Sequence, residues 1–92
     1  MITIYSKDGC PYCVKAKDLL EEYSIEHTVI KIDEDDTAKD FVVSEGHRTV
    51  PQLYVKETLL VEGGFDGLSA VPKELIISRV GEILDDYTNS AK

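Results

Sequence analysis

A strand–helix–strand succession in the first third of the chain is what most limits its folding options. Residues 1–6, with the β-branched and aromatic run Ile2-Thr3-Ile4-Tyr5, read as a strand that ends at the turn-like Ser6-Lys7-Asp8-Gly9. From Pro11 to Tyr23 the period changes: Ala16, Leu19, Leu20 and Tyr23 share one helical face, with Lys15, Lys17, Asp18, Glu21 and Glu22 mostly elsewhere. Residues 26–32 return to a strand pattern with Val29, Ile30 and Ile32 apolar. Two such strands joined through a helix pair in parallel by a right-handed crossover.

The rest of the chain adds an antiparallel half. Acidic residues 33–36 precede a second helix near 36–45, where they complement the helix dipole; its apolar face is Ala38, Phe41 and Val42, and Gly46 is its stop. Residues 52–56 form a third strand, residues 56–58 turn the chain, and residues 59–62 return as a fourth strand. The segment Gly63-Gly64-Phe65-Asp66-Gly67 is too glycine-rich to be regular. A last helix runs from about Pro72 to Tyr87, with Ile76, Val80, Ile83, Leu84 and Tyr87 on one face; Gly81 inside it costs about 1 kcal/mol against alanine, and residues 88–92 should fray. The expected architecture is α/β, in the order β-α-β-α-β-β-α, with a four-stranded mixed sheet flanked by helices. Its 92 residues make one domain with one core.

The chain's two cysteines stand at the first strand-to-helix junction, as Cys10-Pro11-Tyr12-Cys13. A side chain just before a helix faces unpaired N–H groups and the positive end of the dipole, which favour a thiolate over a thiol. Pro11 suits the first helical position, because its fixed φ matches a helix and its missing N–H has no partner there. Cys10 is thus the expected nucleophile. Cys13, one turn further in, reaches its sulfur but is less exposed. A loop this short is a poor staple for a fold, so the pair is read as reactive rather than structural. Asp8 nearby opposes the thiolate, and Lys7 with the helix terminus must outweigh it.

The charge excludes some partners. With 18 acidic against 10 basic residues the net charge is −8, which argues against nucleic acid and anionic membranes. Yet Lys7, Lys15, Lys17 and Arg48 could gather near the cysteines, making a locally basic site that guides a small anion. No apolar run nears the ~20 residues of a membrane span, and the first residues lack a basic, cleavable signal, so a cytoplasmic location is expected. Cys10, Cys13, His27 and His47 fit no zinc-finger spacing, and the acidic run lacks calcium-loop spacing, so no metal is expected. His27 is read as a strand residue and His47 as a loop residue.

Three separated motifs, in order, resemble the glutaredoxins, over residues 1 to about 87. They are the dithiol Cys10-Pro11-Tyr12-Cys13, the turn Thr49-Val50-Pro51, and Gly63-Gly64-Phe65-Asp66. The resemblance implies a thioredoxin-like fold and glutathione-dependent reduction of protein disulfides and glutathione mixed disulfides. It implies no permanent cofactor: glutathione is the reductant, and disulfide-containing or glutathionylated proteins, ribonucleotide reductase among the candidates, are the partners of a monomer. It also implies a cis bond before Pro51, backbone contacts from Val50 to the cysteinyl part of glutathione, and a contact from the Thr49 side chain. Gly64, the Phe65 backbone and Asp66 take the γ-glutamyl end, Lys7 and Arg48 the glycine carboxylate, and Tyr12 lies against the tripeptide. The bland readings are a trans strand-start Pro51 and an Asp66 that merely caps the last helix.

The chain departs from the family pattern at four places. Ala38, with Lys39 beside it, stands where many relatives have a glutamine or arginine. The hairpin is about two residues longer than usual, Glu62 replaces an apolar residue, and Gly67 replaces what is often an acid. Ala38 and Glu62 lean toward one alternative, a redoxin reduced by thioredoxin reductase; separately, a dimeric iron–sulfur carrier using one cysteine per subunit plus glutathione stays open as a less favoured reading.

Overall fold

The computed structural model of the protein describes residues 1–90, with side chains through Asp86. Eight elements follow one another: β1 (Ile2–Ser6), α1 (Pro11–Glu22), β2 (His27–Lys31), α2 (Asp36–Ser44), β3 (Gln52–Val55), β4 (Thr58–Leu59), α3 (Gly64–Ser69) and α4 (Lys73–Ser90). The sheet order is β2-β1-β3-β4. β1 pairs with β2 in parallel, while β3 runs antiparallel to both β1 and β4. The expected mixed four-stranded sheet is therefore present.

Alternation along the central strands gives the sheet two different faces. Ile2 and Ile4 of β1, with Leu53 and Val55 of β3, bury one face against Ala16 and Leu20 of α1, Leu68 of α3 and Ile76 of α4. Val80, Ile83 and Leu84 extend that packing along α4, on the face expected for it. The opposite face carries Tyr5, Gln52 and Tyr54, and α2 covers it with Phe41, whose ring centroid lies 5.5 Å from that of Tyr5 and 5.1 Å from that of Tyr54. β2 is an edge strand with exposed Thr28, Val29 and Lys31, and a lysine there discourages further pairing.

Local chemistry sets the helix starts. Cys10 caps α1, with Pro11 at its first position. The Asp35 carboxylate accepts the Ala38 N–H at 2.9 Å and so caps α2. The acidic run is thus a loop and helix start, as its composition implies.

Two segments differ from expectation. The fourth strand is Thr58–Leu59, not residues 59–62, because Leu60 and Val61 leave the ladder and join the hydrophobic core. The Leu60 N–H still donates to the Leu53 carbonyl at 2.8 Å before the chain turns into the core. The glycine-rich segment forms the additional helix α3, making the order β-α-β-α-β-β-α-α. Burial of Leu68 under the sheet outweighs the low helix propensity of Gly64 and Gly67; truncating such a side chain to alanine costs about 2–5 kcal/mol. The last helix continues to Ser90, past Thr88 where fraying is expected. The side chain of Tyr87 and residues 91–92 lie outside what is described. Among the described residues, no helix is long and apolar enough to cross a membrane.

Candidate active site

Cys10 and Cys13 are joined in a disulfide, with Cα atoms 5.3 Å apart. Cys13 is 4% exposed and Cys10 is more open, the order expected from their places on the helix. The Cys13 backbone N–H points at Cys10 Sγ from 3.2 Å. That N–H is one of the unpaired donors of the first turn, so it would stabilise a Cys10 thiolate once the disulfide is reduced. On its other side Cys10 Sγ lies 3.7 Å from the Val50 carbonyl oxygen. The Val50–Pro51 bond is cis, and the trans alternative for Pro51 is not met.

Two hollows flank the dithiol. The smaller, about 250 Å³, is lined by Tyr12 of α1, by residues 49–51 of the loop before β3, and by residues 63–66 at the start of α3. Seven residues proposed from the sequence meet there: Tyr12, Thr49, Val50, Pro51, Gly64, Phe65 and Asp66. Gly64 is left-handed at φ +59°, and a Cβ on it would stand 2.8 Å from the Pro51 carbonyl oxygen. Glycine is thus what lets the two walls close. Gly67 has a similar reason: a Cβ there would overlap the Glu62 carbonyl, so an acidic residue does not fit. The helix start corrects one alternative, because the α3 cap is Gly63 and Asp66 lies inside the first turn, with its exposed side chain beside the groove.

The larger hollow, about 770 Å³, lies on the other side of the dithiol; Cys10, Cys13, Lys7, Lys17 and Lys31 are in its wall. The four cations expected to gather are therefore divided. Lys7 and Lys17 face this second hollow, and exposed Arg48 lines neither. Lys15 instead reaches over the groove's aromatic wall. Its ammonium is 5.2 Å from the Tyr12 ring centroid and 6.0 Å from that of Phe65, and the two rings are 6.3 Å apart. Ala38 is on the buried face of α2 and lines neither hollow, and exposed Lys39 lines neither as well.

Asp8 is neutralised locally. Its carboxylate pairs with Lys31 at 2.7 Å, and Lys31 also meets Glu34 at 3.6 Å. The hydrogen bond to Asp8, then the charges of Asp8 and Glu34, raise the Lys31 pKa above its ordinary value. Asp8, Asp33 and Glu34 converge within 4.8 Å, but the Lys31 ammonium already serves two of these carboxylates.

The sequence reading does not anticipate the surroundings of the loop before β3. The buried Tyr54 hydroxyl is 2.6 Å from His47 Nε2 and 3.4 Å from Glu45 Oε1. Gln52 Nε2 donates to the Thr49 carbonyl at 3.0 Å. Only the alternation of Gln52 and Tyr54 signals that both side chains lie on one face of β3. Lys15 is signalled by its i,i+3 spacing from Tyr12 on a helix.

Comparison with known proteins agrees with this geometry. The family model described as Glutaredoxin matches residues 2–60. Glutaredoxin 1 of Rickettsia conorii is 32% identical over 88 residues, which span 92% of this chain and 81% of that one. The glutaredoxin of Pseudomonas aeruginosa is 33% identical over 73 residues, 78% of this chain and 84% of that one. Among solved structures, the glutaredoxin from Brucella melitensis superposes with a TM-score of 0.66 at 28% identity, covering 87% of this chain and 89% of that one. A buckwheat glutaredoxin–glutathione complex gives a TM-score of 0.70 at 21% identity over 88% of this chain and 76% of that one, a likeness of fold. With its Cys10–Cys13 pair at the head of α1, the chain belongs to the glutaredoxin family of thiol–disulfide oxidoreductases.

Proposed function

We propose that the protein is a glutathione-dependent oxidoreductase that reduces protein disulfides and glutathione mixed disulfides. The observation that carries this is the groove beside Cys10, with an open backbone edge at Val50, a glycine-rich wall and the Asp66 carboxylate at one end. An extended γ-glutamyl tripeptide offers a matching backbone, an ammonium group for Asp66 and a thiol to set against Cys10.

The Cys10 thiolate attacks the glutathionyl sulfur of a mixed disulfide, forms a Cys10–glutathione bond and releases the substrate thiolate. A second glutathione thiolate attacks the bound glutathionyl sulfur, which yields glutathione disulfide and regenerates Cys10. With a protein disulfide, Cys10 forms a mixed disulfide with the substrate. Cys13 then attacks Cys10 Sγ and expels the second substrate thiolate, leaving the Cys10–Cys13 bond. Two glutathiones reduce that bond. Tyr12, Thr49, Pro51, Gly64 and Phe65 shape the groove, and Lys7 and Arg48 take the glycine carboxylate from outside it. Glutathione is a co-substrate rather than a resident cofactor, disulfide-containing proteins are the partners, and a reducing compartment such as the cytoplasm is where this monomer works.

One observation favours the second reading, reduction by thioredoxin reductase. The groove's own lining includes one carboxylate and no cation: Lys15 only reaches over its aromatic wall, and Arg48 and Lys39 are not among its lining residues. Turnover of a glutathionylated peptide decides between the two. On the main reading glutathione supports turnover, Cys10→Ser abolishes it, and Cys13→Ser keeps it while losing reduction of a protein disulfide. Turnover supported only by NADPH and thioredoxin reductase, or surviving Cys10→Ser, refutes the main reading.

A further inference from the structure

The loop that carries Thr49 and Val50 is held from beneath by two side chains of β3. Gln52 and Tyr54 are alternate residues on one face of that strand, 6% and 1% exposed. Gln52 Nε2 donates to the Thr49 carbonyl at 3.0 Å and approaches Thr49 Oγ1 at 3.4 Å. The Tyr54 hydroxyl meets His47 Nε2 at 2.6 Å, two residues before Thr49, and Glu45 Oε1 at 3.4 Å, four residues before it.

Tyr54 has one hydroxyl proton. When it donates that proton to Glu45, the short contact with His47 is a hydrogen bond only if His47 donates from Nε2. A buried hydroxyl without partners is costly, so the strand needs the loop where it is. The His47 backbone N–H donates to the Val42 carbonyl at 3.2 Å, which ties the same residue to the end of α2. The tyrosine ring is itself fixed, by an edge-to-face contact with Phe41 at 5.1 Å and another with Tyr5 at 5.7 Å. A rigid aromatic cluster beneath the sheet thus ends in a polar tip that grips the loop of the groove.

We propose that His47 and Tyr54, with Gln52, are positioning residues that hold Thr49 and Val50 for a glutathionyl substrate. The inference rests on the glutathione reading of the groove. None of the three is among the groove's lining residues, so they act through the loop. Loss of the grip lets the Val50 carbonyl and Thr49 wander from the substrate backbone while Cys10 and its helix terminus stay as they are. Binding suffers and the thiol chemistry does not.

The test compares one peptide carrying its cysteine either glutathionylated or cysteinylated. Tyr54→Phe keeps the ring and removes the hydroxyl; His47→Ala removes the partner from a half-buried loop position and gives the same readout should the buried change unfold the chain. Each variant should raise KM for the glutathionylated peptide about 3- to 10-fold, the ratio equivalent to one hydrogen bond. Meanwhile kcat, and the rate of Cys10 alkylation across pH, should stay within about twofold, a change worth less than that one bond. The double variant should be no worse than the poorer single, because both remove the same bond. His47→Gln, which keeps an N–H donor, should recover most of the loss. A wild type that prefers the glutathionylated peptide, with both variants keeping that preference and losing only thermal stability, overturns the positioning role alone. A wild type with no preference overturns the glutathione reading and this inference with it.

Discussion

Replacing Gly64 with alanine tests the groove geometry most directly. At φ +59° an L-residue pays about 1–2 kcal/mol for the left-handed conformation. The new methyl would also stand 2.8 Å from the Pro51 carbonyl oxygen, which is backbone and cannot rotate away. Relieving such crowding typically costs about 1–3 kcal/mol more. The sum, about 2–5 kcal/mol, is a large part of the ~5–14 kcal/mol that stabilises a domain of this size. At roughly 4–8 °C per kcal/mol, the midpoint of thermal unfolding should fall by about 8 °C or more. Gly81→Ala should do the opposite: its Cβ meets nothing within 4 Å, and alanine in a helix interior gains about 0.5–1 kcal/mol. Gly64→Ala in that background should stay folded for kinetics and show a KM for glutathionylated peptide raised several-fold, because the relief must move Pro51 or α3 apart. An unchanged midpoint and an unchanged KM for Gly64→Ala would refute the close approach of these walls.

Lys15→Gln should raise KM for glutathionylated peptide by about 2- to 5-fold at low ionic strength, with Lys15→Arg near wild type, since the ammonium lies over the Tyr12 and Phe65 rings of the groove's wall; equal kinetics for Gln and Arg at low salt would count against it. Tyr5 and Tyr54 are both raised above the ordinary 10.0, by burial first, then by Asp35 and Glu57 for Tyr5 and by Glu45 for Tyr54. The unfolded chain therefore ionises first as pH rises, so their contribution to stability is intact below pH 10.0 and is lost as pH climbs through the raised values. Chemical denaturation over that range should show the decline, flattened in Tyr54→Phe. Lys31→Ala leaves Asp8 unpaired near the dithiol, so alkylation of reduced Cys10 near neutral pH should slow by up to about threefold at low salt and recover at 1 M salt.

Much of this arrangement is legible along the chain because it is local. The period change at Pro11, the cap position of Cys10 and the alternation in β1 and β3 each follow from a few adjacent residues, and they place the dithiol correctly. What stays hidden depends on residues distant in sequence. A helix over Gly64–Ser69 contradicts propensity and exists because Leu68 fills the core. Residues 59–62 look like a strand, yet Leu60 and Val61 leave the sheet to fill the same space. The neutralisation of Asp8 by Lys31 needs the parallel pairing of Ser6 with Lys31, which no local pattern gives. Arg48 follows the same logic in reverse: the family resemblance sets it toward the glycine carboxylate, whereas its exposed side chain is not among the groove's lining residues.

The two faces of the sheet divide the work between stability and function. Ile2, Ile4, Leu53 and Val55 meet aliphatic side chains of α1, α3 and α4, a packing that tolerates volume-conserving exchange. Tyr5 and Tyr54 meet α2 through the Phe41 ring, and Gln52 and Tyr54 hold the loop after α2 by directed hydrogen bonds, which specify angles as well as volume. The site lies where these layers meet: α1 brings the dithiol from the aliphatic side, and the loop before β3 brings Thr49 and Val50 from the aromatic side. A hydrophobic exchange on the aliphatic face should therefore lower stability with little effect on substrate preference. Loss of one hydroxyl on the aromatic face should change substrate preference whatever it costs in stability, because the groove is only as well defined as the loop that forms its wall.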